Sequence, residues 1–318
     1  MDVTVIGLGL IGGSLLRSLA AAGHGVTGYD ADPVTRDLAR ADGWAVAGSV
    51  AEAVAGAEIV VLAVPLPVLP EVVAELADHD GLITDVTSVK GPVLDLAEKH
   101  GLRRFVGGHP MAGKEKSGFT AADPELFDGC AWVLCLEPHG TGLDDWLTLA
   151  ALFTGMGARV VPVTAAEHDR AVAQISHVPH LFASALARQL DGNPLAGALA
   201  AGSFRDGTRV AATRAELVVA MCGGNAVAVR EVLRSLLGDL EAMDQALATD
   251  PVRDLTPIVA AGGELRRAWP AAGGEPIEMA AHAGELRALG RAGGWVTAVS
   301  GSRATVTAKR PETDRNAS

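Results

Sequence analysis

The chain has 318 residues, which allows about two domains with a substantial apolar core in each and excludes a single mini-domain. A hydrophobic content of 49% argues against disorder, while 20% charged residues keep the surface wet, as expected of a soluble globular protein. With 38 acidic against 26 basic side chains the net charge is −12, a surface that repels phosphate backbones and anionic bilayers, so no nucleic acid and no membrane are expected as partners.

Short β-branched runs alternate with helical stretches through the first half: Val3 to Ile6, Gly25 to Tyr29, Ile59 to Val64, Leu82 to Asp85, Phe105 to Val106, Ala131 to Leu136 and Arg159 to Val163. Continuous apolar strands spaced by helices predict a mostly parallel sheet buried on both faces. Strand signals then stop. From about Thr164 to Thr249 the chain is rich in Ala and Leu at helical spacing, as in Ala171, Ile175, Val178, Phe182 and Leu186. The expected fold is α/β, with an N-terminal Rossmann-type doubly wound sheet over residues 1–163 and an all-α substrate and dimerisation domain over 164–250. The apolar faces of those helices exceed what one small layer covers, which predicts a homodimer through this half.

After Asp250 the pattern weakens to a helix-like stretch near Glu278 to Leu289, then Trp295 to Val299 and Ala304 to Ala308 around Ser300-Gly301-Ser302-Arg303, a candidate hairpin. Residues 251–318 are expected to form a C-terminal structural appendage, frayed from Lys309 to Ser318. Cys130, Cys135 and Cys222 are odd in number and form no CxxC pair, and the chain opens directly on an apolar strand, so a reduced, cytoplasmic protein is expected. The longest apolar runs fall short of the ~20 residues that cross a bilayer.

Gly7-Leu8-Gly9-Leu10-Ile11-Gly12 follows the first strand directly and opens the first helix. In that setting Gly7 makes the turn, Gly9 lets the backbone approach a pyrophosphate, and Gly12 permits close helix–strand packing. The phosphates would rest on unpaired N–H groups at the helix N-terminus, where the macrodipole favours negative charge. Asp30 ends the next strand and is placed to accept hydrogen bonds from ribose hydroxyls. It would also repel a 2′-phosphate, and no Arg or Lys follows before Arg36, so NAD is expected rather than NADP. Leu10, Ile11, Val64 and Ser88 complete the expected cofactor contacts. An ordinary βα turn with Asp30 as a surface cap is the bland alternative.

Asp85-Val86-Thr87-Ser88-Val89-Lys90 ends the fourth expected strand, and Gly107-Gly108-His109-Pro110-Met111-Ala112-Gly113 ends the fifth. Both strand ends open on one crevice in a doubly wound fold, so Ser88 and His109 can converge on a nicotinamide. A histidine near its ordinary pKa of ~6.5 is suited to take a proton from an alcohol as hydride leaves the same carbon.

These blocks, with Gly107 to Gly118, Ser176-His177-Val178-Pro179-His180 and Phe204-Arg205-Asp206-Gly207-Thr208-Arg209, resemble the prephenate dehydrogenases from residue 3 to about 240. The resemblance implies a tyrosine-biosynthesis enzyme in which His109 accepts the C4 hydroxyl proton with Ser88 hydrogen-bonded to it. It implies further that Arg209 binds a substrate carboxylate, His180 contacts the substrate side chain, and Glu115 lies at the mouth of the site. Gly202 and Asp206 join the expected substrate-binding set, Asp206 orienting the Arg209 guanidinium; a surface ion pair of the two is the bland alternative. The reaction implied is oxidative decarboxylation of prephenate to 4-hydroxyphenylpyruvate, driven largely by aromatisation. His177 and His180 share a helical face, but no third ligand of clear spacing accompanies them, so packing or substrate contact is expected and no metal.

The chain departs from the family between Arg209 and Asn225, where relatives carry a proline and a tryptophan and this sequence reads Thr213-Arg214-Ala215-Glu216-Leu217-Val218. Substrate choice among prephenate, arogenate and 4-amino-4-deoxyprephenate therefore stays open. β-Hydroxyacid dehydrogenases and imine reductases share the architecture, but the former use a lysine in or near the helical domain, and none lies between Lys116 and Lys309. A non-catalytic NAD-binding protein would leave Ser88, His109 and Arg209 together unexplained.

Overall fold

A computed structural model describes residues 1–114, 116–269 and 273–312. The chain forms two compact units, one from Met1–His168 together with the chain from Gly273 onward, the other beginning at Asp169.

The first unit opens with five parallel strands, β1 (Asp2–Ile6), β2 (Gly25–Tyr29), β3 (Ile59–Leu62), β4 (Leu82–Asp85) and β5 (Phe105–Val106), in the order β2-β1-β3-β4-β5. The chain turns one way from β1 to β2 and the other way to β3, so the order reverses between β1 and β3, the place where open sheets of this kind bind ligands beyond the strand C-termini. On β3, Ile59 and Val61 face one apolar cluster while Val60 and Leu62 face another. That period-2 split, with every side chain buried, is why the strand reads as an unbroken apolar run rather than an alternating one.

The last two expected strands do not extend this sheet. Ala131–Cys135 (β7) and Arg159–Val163 (β8) run parallel to each other in a second, six-stranded sheet, joined by the helix Leu143–Gly155. A short strand β6 (Gly108–Pro110) pairs antiparallel with β7 and begins that sheet. The switch occurs at Gly107-Gly108, and Gly108 permits it: a Cβ there would lie 2.6 Å from the Asp85 carbonyl oxygen. A local pattern cannot show this crossing, because the same apolar strand suits either sheet.

The stretch 251–318 is not one appendage. The helix Pro251–Ala268 packs against the long helix Ala226–Ala248 of the second unit. The chain then returns to the first unit with β9 (Ile277–Ala280), the helix Ala283–Arg291, and the antiparallel hairpin β10 (Trp295–Val299) and β11 (Thr305–Lys309). β10 pairs with β8, giving the order β6-β7-β8-β10-β11-β9. Leu286, Leu289, Val296, Val306 and Ala308 are buried there with Trp132, Trp146 and Phe153, so the segment completes a core rather than hanging from one. The hairpin expected around Ser300 to Arg303 is present, with Arg303 at φ 58°.

The second unit is helical. Ala173–His177 forms one π-helical turn between the helices Ala165–Val172 and Val178–Ala187. Ala173, Val178 and Val229 form its small buried cluster, while Val219, Val227, Val252 and Leu265 are exposed. No helix among the described residues is long and apolar enough to cross a membrane, and none of the three cysteines forms a disulfide.

Candidate active site

Gly7 leaves β1 at φ 96°, a conformation that favours glycine, and its N–H donates to the Tyr29 carbonyl at 2.7 Å. A Cβ on Gly7 would meet the Ala63 carbonyl oxygen at 2.5 Å and Val64 Cγ1 at 3.0 Å, and one on Gly12 would lie 1.8 Å from the Gly7 carbonyl oxygen. The turn is therefore closed by Val64 at the end of β3 and by the helix Leu10–Ala21. Gly9 differs: no atom lies within 4 Å of where its Cβ would be, and it caps that helix without any side-chain bond or acid in the first turn. Leu10 and Ile11 are half-buried beside it.

Asp30 at the end of β2 is anchored: Oδ2 accepts from the Leu8 N–H at 2.7 Å and Oδ1 from the Asp32 N–H at 2.9 Å. Arg36 gives its Nη1 to the carbonyls of Asp30 at 2.6 Å and Ala31 at 3.0 Å, so the first following cation is committed to backbone. Open space at bare helix N–H groups, a close-packed glycine turn and an oriented carboxylate at the sheet's reversal point fit a dinucleotide with an unphosphorylated ribose.

At the neighbouring strand ends, Lys90 and Asp85 form a fully buried ion pair, 1% and 0% exposed. Asp85 Oδ1 accepts from the Gly108 N–H at 3.0 Å, and Lys90 Nζ donates to the Gly108 carbonyl at 2.6 Å and to Thr87 Oγ1 at 3.1 Å. Both peptide groups flanking Gly108 are thus clamped by the pair, one residue before His109. Sequence reasoning read these residues as a motif and missed the clamp.

His109 is half-buried on β6, and its Nδ1 lies 2.8 Å from Nε2 of buried His168, the rings meeting edge-on. Ser88 is half-buried in the loop after β4, but no hydrogen bond joins it to His109; the expected Ser88–His109 bond gives way to the histidine pair. His168 was missed by sequence reasoning; its only signal is Thr164-Ala165-Ala166-Glu167 just before it, a helix-start pattern rather than a catalytic one. Lys114 pairs with Asp123, Lys116 is exposed, and Glu115 lies outside the described residues.

In the second unit, His177 is buried, its Nδ1 3.2 Å from Asn225 Nδ2, and Asn225 Nδ2 also donates to the Asp169 carbonyl at 2.6 Å. His180, half-buried, has its Nδ1 at 2.8 Å from the Ser176 carbonyl. The two rings make separate hydrogen-bond contacts, and no His, Cys, Asp or Glu cluster among the described residues could hold a metal. Gly202, Asp206 and Arg209 are exposed. No ion pair joins Asp206, on the helix Gly202–Thr208, to Arg209, which opens the 3₁₀ turn that follows it.

The family model described as the prephenate dehydrogenase nucleotide-binding domain matches residues 15–162, and that for the prephenate dehydrogenase dimerization domain matches residues 164–260. A prephenate dehydrogenase of Lactococcus lactis is 38% identical over 225 residues, 66% of this chain and 60% of that protein, so the chain spans less than two thirds of this relative's length. A cyclohexadienyl dehydrogenase of Zymomonas mobilis is 34% identical over 261 residues, 78% of this chain and 88% of that protein. The crystal structure of an Aquifex aeolicus prephenate dehydrogenase in complex with hydroxyphenyl propionate and NAD+ is similar at a TM-score of 0.77 and 26% identity, over 84% of this chain and 97% of that one. By its two matched domains and their order, the chain belongs to the prephenate dehydrogenase family.

Proposed function

We propose that the protein is an NAD-dependent dehydrogenase that oxidises and decarboxylates prephenate to 4-hydroxyphenylpyruvate. The observation that carries this reading is His109: a half-buried imidazole just beyond the C-terminal end of β5, on the same edge of the parallel sheet as the glycine turn after β1, next to Gly108, whose peptide groups the Asp85–Lys90 pair holds. When bound, NAD supplies acceptance of a hydride from the ring carbon that bears the hydroxyl. The chain's residues do the rest. Gly7, Gly9 and Gly12 with the helix N–H groups hold the pyrophosphate, and Asp30 takes the ribose hydroxyls. His109 accepts the hydroxyl proton, while Ser88 contacts the same end of the substrate. Arg209 grips a carboxylate through its planar fork, and His180 meets the side chain. Loss of the ring carboxylate as CO2 completes aromatisation, so the protein's task is alignment and charge neutralisation rather than supply of driving force.

A second copy of the chain is part of this reading, supported by the dimerization-domain match and by exposed Val219, Val227, Val252 and Leu265. Arogenate and 4-amino-4-deoxyprephenate present nearly the same groups, and Val218, where relatives carry tryptophan, faces the choice among them. The test is an absorbance assay of cofactor reduction with each of the three compounds and with NAD+ and NADP+. Turnover of prephenate with NAD+ at the highest kcat/KM is expected; activity on none of the three would overturn the reading.

A further inference from the structure

The His109–His168 pair rests on a support that comes from the far end of the chain. His168 lies in the first turn of the helix Ala165–Val172, its N–H donating to the Thr164 carbonyl at 2.9 Å. That turn is closed by reciprocal capping: Glu167 Oε2 accepts from the Thr164 N–H at 2.8 Å, and the Glu167 N–H donates to Thr164 Oγ1 at 3.3 Å. The Ala165 N–H is taken by Glu137 Oε1, in the loop after β7, at 2.6 Å. The other Glu167 oxygen is held by the guanidinium of Arg291, 124 positions later and the last residue of the helix Ala283–Arg291. That helix has little freedom to shift: a Cβ on Gly290 would lie 1.8 Å from the Pro162 carbonyl oxygen on β8, and Leu286 and Leu289 are fully buried.

We propose that Arg291 is a positioning residue for catalysis. By holding Glu167 it fixes the first turn of the helix, and so keeps His168 Nε2 against Nδ1 of His109. His168 accepts the Nδ1–H of His109, which leaves the lone pair on His109 Nε2, the nitrogen that meets the substrate hydroxyl. As His109 takes up the proton, that same bond becomes charge-assisted and steadies the imidazolium. The returning segment is then part of the scaffold of the reaction. This inference rests on the reading of His109 as the base.

The test is a double-mutant cycle on the substrate the wild-type protein turns over. Arg291→Ala is expected to lower kcat about tenfold while the KM for NAD+ stays within about twofold, since a small misalignment of the base affects chemistry and not cofactor binding. Arg291→Lys should recover to within about threefold of wild type, and in a His168→Ala background Arg291→Ala should cost less than about twofold, because the two act in series. The ring ¹⁵N signals of His109 give a readout without turnover: one fixed tautomer in wild type, an exchanging mixture in Arg291→Ala. Equal losses in both backgrounds, or a lower unfolding temperature with kcat and the His109 signals unchanged, would overturn the proposal alone. Absence of turnover by the wild type on all three compounds would remove the base assignment and this inference together.

Discussion

The carboxylate of Asp30 accepts the Leu8 N–H at 2.7 Å, so the acid that ends β2 is tied to the glycine turn that ends β1. One bond sets two distances at once, that of the proposed phosphate cradle and that of the proposed ribose acceptor. Asp30→Asn keeps an oxygen for Leu8 but removes the charge. It should raise the KM for NAD+ about tenfold and lower the KM for NADP+, since the repulsion of a 2′-phosphate goes with the carboxylate. An unchanged ratio of the two KM values would show that Asp30 does not face the ribose.

Gly9 separates folding from cofactor binding. Its φ of −68° suits any residue, and a Cβ there meets no protein atom within 4 Å. Gly9→Val should therefore leave the unfolding temperature within about 2 °C of wild type, a shift of about 1 kcal/mol at most for a chain this size. The same side chain fills the space at the helix N-terminus, so calorimetry should show NAD+ affinity reduced at least about 100-fold. Tight binding by the variant would place the pyrophosphate elsewhere.

Arg209 carries the substrate carboxylate in this account. Arg209→Ala should raise the substrate KM about 30-fold with the NAD+ KM unchanged, the loss expected of a charge-assisted forked contact. Arg209→Lys keeps the charge but not the fork and should fall between the two. Steady-state kinetics with each substrate varied in turn checks both; a loss in kcat alone would make Arg209 something other than a binding residue.

The Arg291–Glu167 pair has a pH signature. Burial opposes a charged Glu167, but the Thr164 N–H, the Arg291 guanidinium and the Thr164 hydroxyl outweigh it and hold the carboxyl below its ordinary value of 4.5. A depressed acid stabilises the fold above its unfolded pKa, and that contribution is lost as pH falls through the folded value. Glu167→Gln should thus lower the unfolding temperature near pH 7, with the gap to wild type closing as pH falls through the range below about 4.5. A gap constant across that range would mean the pair contributes nothing to stability.

Much of the first sheet was legible because buried parallel strands announce themselves as short apolar runs, and the glycine turn because its constraints are local: Gly7, Gly12 and Asp30 lie within one βαβ unit. What could not be read depends on distant pairing. β8 meets β10 at Val160 and Val296, and no periodicity at either end encodes that match. His168 escaped notice because its neighbours spell a helix start and its partner His109 is 59 positions away. The Asp85–Lys90 pair was visible as letters, but that the ammonium is buried and reaches Gly108 follows only from the crossing of the chain between two sheets.

The most direct measurement is kcat for His109→Asn on the preferred substrate, with NAD+ affinity measured alongside. Asparagine keeps a polar group of similar reach but cannot take the proton, so kcat should fall at least about 100-fold while NAD+ binds as in wild type. A variant that turned over near the wild-type rate would contradict the assignment of His109 as the base.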